Sequence, residues 1–146
     1  MAALTKDRAT PYREGIEVEF PVAANAKIFA GSLVCASATA AYLRRLQPRA
    51  VTLVVTGVWT DRDGDEDHAC ADLIEALLCG ADPPRAPYAE RVRNSDFGRR
   101  FAAGTDPNLP TADLDCAAAV DRFAFAMPMN RLRDGLLIRP VPVTNG

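Results

Sequence analysis

The chain has 146 residues, 49% hydrophobic and 25% charged, with a formal net charge of −2. It is long enough for one globular domain to bury a core without disulfide or metal staples, and its balance is that of an ordinary soluble globule. No run of Lys or Arg exceeds a pair (Arg44-Arg45, Arg99-Arg100), which argues against a dedicated nucleic-acid surface. No apolar run approaches a membrane span, and the N-terminus lacks the layout of a signal peptide, so a cytoplasmic location is the expectation.

Residues 1–27 are the least regular stretch. Ile16, Val18 and Phe20 alternate with Glu17 and Glu19, the signal of a half-buried strand that Pro21 closes. Residues 28–34 read as a second strand, weakened by Gly31. Ser37 or Thr39 then opens a helix over 38–46, which Pro48 ends. Val51 to Val55 is nearly continuous β-branched and aliphatic sequence, which suits a strand over 51–57 buried on both faces. An acidic loop follows. Then Cys70, Leu73, Ile74, Leu77 and Leu78 recur at i, i+3, i+4, i+7 and i+8, one apolar stripe of a helix over 67–79. Asp65 or Asp67 caps its start, and Gly80 with Pro83 and Pro84 ends it.

Strand, helix, strand, helix make a βαβα unit, whose crossover predicts two parallel strands. Pro87 suits the first turn of a helix carrying Tyr88 and Val92, and Asn94-Ser95 breaks it. Ser95 caps a short second helix holding Phe97 and Phe101. Gly104 to Pro110 is turn chemistry. Thr111 caps a helix over 112–120, with Leu114, Ala117 and Ala118 facing the core. Phe123, Phe125 and Met127 alternate as a strand, and 136–141 forms a last one at an edge, because Pro140 cannot donate to a ladder. The expected fold is α/β: a βαβα unit in a mixed, mainly parallel sheet flanked by helices, behind an irregular N-terminal segment, all in one domain.

The four cysteines form no Cys-x-x-Cys pair and there is one histidine, so a zinc site is not expected. The cysteines read as small apolar residues of a reducing compartment. Asp61, Asp63, Asp65, Glu66, Asp67 and Asp72 concentrate carboxylates where open α/β sheets place their ligands. They suit a hard cation such as Mg²⁺, or a solvated loop that complements a helix N-terminus. A calcium loop is disfavoured, since Glu66 stands at its sixth position and Asp72 at its twelfth. His68 is either a general acid-base group or merely exposed. Ser95 with Gly98-Arg99-Arg100 could hold an anion, against the commoner reading of a simple cap.

Several segments carry a resemblance. They are Val-Thr-Leu-Val-Val-Thr-Gly from Val51, Glu66-Asp67-His68-Ala69-Cys70-Ala71, Arg91-Val92-Arg93-Asn94-Ser95 with Gly98-Arg99, Ala112-Asp113-Leu114, and Asp121-Arg122-Phe123 leading to Pro128. In this order and spacing, from about Gly31 to Val143, the chain resembles the C-terminal half of the 2-phosphosulfolactate phosphatase family. The second segment is similar to the family's Glu-Asp-x-x-Cys-Ala signature, with Asp72 where members usually carry Gly. The resemblance implies a Mg²⁺-dependent hydrolase acting on a phosphate monoester of a small sulfonated hydroxy acid. It places Glu66 and Asp67 as catalytic and metal-holding residues, with Ser95 and Arg99 as substrate-binding ones. The expected partner is a small phosphorylated substrate, not nucleic acid or membrane, and a homo-oligomer is left open.

Nothing before Gly31 resembles the family's Asp-Val-Leu-Arg-Ala-Ser-like upstream segment, so an incomplete catalytic set is expected. Residues 1 to about 36 instead resemble the start of small phage capsid-cement proteins, through Ala3-Leu4-Thr5-Lys6-Asp7-Arg8, Phe20-Pro21-Val22-Ala23-Ala24-Asn25 and Ile28-Phe29-Ala30-Gly31-Ser32-Leu33. That implies the alternative, a non-enzymatic, mostly β structural protein. Antiparallel pairing, or separate sheets, for 28–34 and 51–57 would favour it.

Overall fold

The apolar stripe expected over 67–79 forms the central helix of the computed structural model, which describes residues 26–56 and 63–144 and the backbone of 2–3 and 21–22. In chain order, strands β1 (Ala2–Ala3), β2 (Pro21–Val22) and β3 (Ile28–Phe29) precede a 3₁₀ turn, Leu33–Cys35. Helices α1 (Ala36–Leu46), α2 (Asp65–Leu78), α3 (Ala86–Asn94), α4 (Asp96–Ala103) and α5 (Thr111–Ala117) follow. Strands β4 (Phe125–Ala126), β5 (Pro128–Leu132), β6 (Gly135–Ile138) and β7 (Val141–Pro142) close the order. The expected strand over Ile16, Val18 and Phe20 lies outside the described residues.

The fold is mixed helix and strand, as expected, but the mainly parallel sheet is not. Every described pairing is antiparallel: β1 with β2, β4 with β7, and a three-stranded sheet in the order β3-β5-β6. The strand expected over 28–34 stops at Phe29, with Ile28 opposite Met129, and the chain then tightens into the 3₁₀ turn. The strand expected over 51–57 is absent through residue 56, and residue 57 lies outside the described set. Val51, Leu53 and Val54 are exposed, Val54 to 47%, so this run is not the buried strand its composition suggests.

The physical reason is what covers α2. Its stripe meets helical side chains: Leu73 and Ile74 are buried in one cluster with Leu33, Ala36, Val92 and Ala118, and Cys70, Leu77 and Leu78 pack around it half-buried. Ala36, the α1 residue in that cluster, is small enough to let the two helices approach without a sheet between them. Residues 51–53 therefore lie on the outer side of α2, where Val51 and Leu53 line a groove with Glu75, Leu78 and Cys79. A second, smaller core holds Ala38, Ala126 and Val143, with Ala41 and Tyr42 beside it. It joins α1 to the short β4–β7 ladder, and the Phe29 ring meets Tyr42 edge-on at 5.7 Å.

Local signals fared better. α2 begins two residues early, from Gly64 rather than from an Asp65 or Asp67 cap, and no side chain caps it. It ends as expected: Gly80 takes φ +87, its N–H donates to Leu77 O, and Ala81 N–H donates to Ala76 O. That is the left-handed glycine closure of a helix C-terminus. Pro87 sits in the first turn of α3, and Gly104 to Pro110 is a turn. α5 starts from Pro110 without a side-chain cap and ends at Ala117, earlier than expected; Ala118 is buried, Leu114 half-buried and Ala117 exposed. Of the strand through Phe123, Phe125 and Met127, only Phe125–Ala126 pairs. The expected last strand over 136–141 is split into β6 and β7, with Arg139-Pro140 between them. No helix among the described residues is long and apolar enough to cross a membrane.

Candidate functional site

The acidic approach to α2 docks on the start of α4. Asp63 N–H donates to Asp96 Oδ2 at 3.1 Å, and Asp96 N–H donates back to Asp63 Oδ1 at 3.3 Å. Asp63 Oδ1 also accepts from Asp65 N–H at 3.2 Å. Asp63 therefore holds two chain segments in register, and Asp61 lies outside the described residues.

Two further acids are taken by Arg91, a residue that sequence reasoning placed in a matching segment but gave no role. Its Nη2 and Nε donate to Asp65 Oδ1 at 2.6 and 3.0 Å, and its Nη1 to Asp72 Oδ2 at 2.6 Å. The hydrogen bonds from Arg91 hold the Asp65 carboxyl below its usual range, against a smaller opposing effect of burial. The bonds to Asp65, then those to Asp72, raise the guanidinium's own proton affinity. The signal was available: Asp65 and Asp72 are seven residues apart, two turns up the same face of α2, and a planar guanidinium bridges such a pair.

That leaves Glu66 and Asp67, the pair expected to carry the chemistry. Both are in the first turn of α2 and both are half-buried. Asp67 Oδ2 accepts from Thr56 Oγ at 3.3 Å. Glu66 Oε2 is shielded from solvent and has no hydrogen-bond partner among the described residues. A buried carboxylate oxygen without a donor is costly, and each such case asks for a cause. His68, the next residue, is exposed. Cys70 is half-buried at the cluster's edge; burial first, then the neighbouring Cys35 and Asp67, push its thiol up to about 12, which makes it a poor nucleophile at neutral pH. All four cysteines are free thiols.

Ser95 and Arg99 are placed differently from each other. Ser95 is 1% exposed, and its hydroxyl is used at both ends: it accepts from Gly98 N–H at 3.0 Å and donates to Val92 O at 3.0 Å. It is the cap of α4, turned into the core. Gly98 is there for space, because a Cβ would stand 2.1 Å from Val92 O. Arg99 is exposed, with its guanidinium on Asp96 and on the Asn94 carbonyl. The two expected halves of the site thus share an edge through Asp63 and Asp96, but only Arg99 of the substrate pair faces outward.

The best-connected polar node lies elsewhere. Asp121 Oδ1 accepts from Ser37 N–H at 2.7 Å, and Oδ2 accepts from Ser37 Oγ at 2.6 Å and from Arg85 Nε at 2.8 Å. Arg85 Nη2 also donates to Ser37 Oγ at 3.1 Å, and its Nη1 pairs with Asp82 at 2.8 Å. Neither Ser37 nor Thr39 caps α1 as expected; the acceptor arrives from 84 residues away. Burial alone would raise the Asp121 carboxyl, but the bonds from Ser37 and Arg85 outweigh it and hold it low. A carboxylate so stabilised is a weak base, and this node is a clamp between α1, α3 and the chain leading to β4.

Compared with protein-family models, curated proteins and solved structures, the chain matches none. Among the described residues, no three His, Cys, Asp or Glu side chains converge as a metal-binding group. Mg²⁺ commonly takes only one or two protein carboxylates and draws the rest of its shell from water and substrate. The unpartnered Glu66 oxygen beside Asp67 fits that smaller demand.

Proposed function

We propose that the chain is a Mg²⁺-dependent phosphatase-type domain resembling 2-phosphosulfolactate phosphatase, with a catalytic set that is incomplete on this chain. The observation that carries this reading is Glu66 Oε2, buried without a donor in the first turn of α2 beside Asp67. Elimination adds to it: Asp65 and Asp72 are bound by Arg91, and Asp63 by backbone N–H groups of Asp65 and Asp96. Glu66 and Asp67 would hold the ion, which when bound neutralises charge on a phosphoryl group. At the start of α2 the Asp65 N–H donates to Asp63 Oδ1 and those of Asp67 and His68 to Gly64 O, so only the Glu66 N–H, among the described residues, is left to favour an oxyanion there. Arg99 sits on the segment that Asp63 joins to this turn, and an anionic substrate would have to draw its guanidinium from Asp96 and the Asn94 carbonyl. Ser95 supports the reading as the cap that positions Arg99.

The capsid-cement alternative draws support from the antiparallel pairing of every described strand and from the lack of a strand over 51–56. Against it stand the five helices of the described residues, which hold the larger core. Phosphate release from a phosphate monoester, with and without Mg²⁺, separates the two readings. We expect weak, Mg²⁺-dependent release that Asp67→Asn abolishes without loss of helical circular dichroism, and that Asp63→Asn reduces much less. Turnover that survives Asp67→Asn would move the site away from α2.

A further inference from the structure

α4 carries a guanidinium, that of Arg100, that the phosphatase reading does not use. A groove of about 500 Å³ opens between α4 and the turn that leads to α5, within the size range of small-molecule sites. Ala103 and Leu109 give it apolar surface, Thr105 a hydroxyl, Arg99 and Arg100 two guanidinium groups, and Asp96 and Asp106 two carboxylates. The charges are not equally available. Arg99 is spent on Asp96 and the Asn94 carbonyl. Asp106, on the rim, turns its Oδ1 back into its own turn, accepting from Asn108 N–H at 2.8 Å and from Asn108 Nδ2 at 3.1 Å. Arg100 alone has no carboxylate partner among the described residues, and its guanidinium lies over the Phe97 ring at 5.7 Å. A cation–π contact at that distance draws the guanidinium toward the ring without using any of its N–H donors.

We infer that this groove is a binding site for a small organic oxyanion, with Arg100 taking the charged end and Ala103 and Leu109 the apolar body. A carboxylate meets a guanidinium through two parallel N–H···O bonds, and a phosphate does so equally well. The apolar floor is what distinguishes a ligand with a hydrocarbon tail from the bare ion. The site needs no cation at Glu66 and Asp67, and it requires binding, not turnover.

Butyrate and inorganic phosphate, with butanol as the uncharged control, test this in amide-shift titrations of the whole chain without Mg²⁺. Butyrate and phosphate should both give saturable shifts centred on residues 99–109, and butanol none. Arg100→Gln should weaken both anions at least tenfold. Arg44→Gln, on an exposed face of α1, should leave both unchanged. Asp106→Asn should tighten both by lifting a like charge from the rim, and Leu109→Ala should weaken butyrate more than phosphate. Folding of each variant is read from its own amide dispersion. Non-saturable shifts, shifts centred elsewhere, or equal affinity in Arg100→Gln would overturn the site, whatever the phosphate-release assay shows.

Discussion

Asp121 shows how much one residue can organise. It sits at φ +56, a left-handed backbone that Asp tolerates better than most residues, and from there its carboxylate supplies the acceptor for the start of α1. Asp121→Asn removes the charge from three hydrogen bonds and should cost about 1.5–3 kcal/mol in urea denaturation at neutral pH. The pH dependence has a definite sign. The folded carboxyl is held below its unfolded value, so its contribution is fully present above about pH 4 and is lost as pH falls through the folded value. Stability of the variant should decline less steeply on the acid side; a slope equal to that of the wild type would mean Asp121 is not clamped. At Gly98, an added Cβ collides with backbone rather than with a flexible side chain, so Gly98→Ala should destabilise by about 1–3 kcal/mol or more in the same assay. Of these residues, Ser95 was legible as a cap because the cue lies within three positions. Asp121 was not, because nothing local marks a partner 84 residues away.

At the scale of elements, the helices were readable and the sheet was not. Period 3.6 in α2, Pro87 in α3 and Ser95 before α4 are local facts, and tertiary structure kept them. A run such as Val51 to Val55 says only that its residues suit a strand; whether a neighbour pairs with it is decided by distant segments. Here α1 occupies the face of α2 where a sheet was expected. Leu73→Ala, at a fully buried position of the stripe, should therefore cost about 2–5 kcal/mol, and Glu75→Ala on the exposed face less than about 0.5 kcal/mol. Val54→Ala is the sharper case. A strand buried on both faces would lose more than about 1 kcal/mol, whereas the exposed Val54 should lose almost nothing. A large loss at Val54 would restore the sheet that the sequence suggested.

For the molecule as a whole, two small cores on opposite sides of α1 connect the helices α2 to α5 to the antiparallel strands. The candidate site lies at the rim of the larger core, where α2 begins. The sequence singled out the acidic cluster there but could not rank its six members, because ranking them needs their partners. Among the described members of the cluster, Arg91 and Asp96 supply those partners and leave Glu66 and Asp67; Asp61 lies outside the described residues. Ser95 drew two readings for the same reason: a cap and an anion ligand look alike until the hydroxyl's neighbours are known. If a cation satisfies the buried Glu66 oxygen, calorimetric titration of Mg²⁺ into the purified chain tests it directly. We predict weak, saturable binding to the wild type, lost in Glu66→Gln with the helical circular dichroism unchanged. Equal heats in wild type and Glu66→Gln, or no binding to the wild type, would contradict a cation site in the first turn of α2.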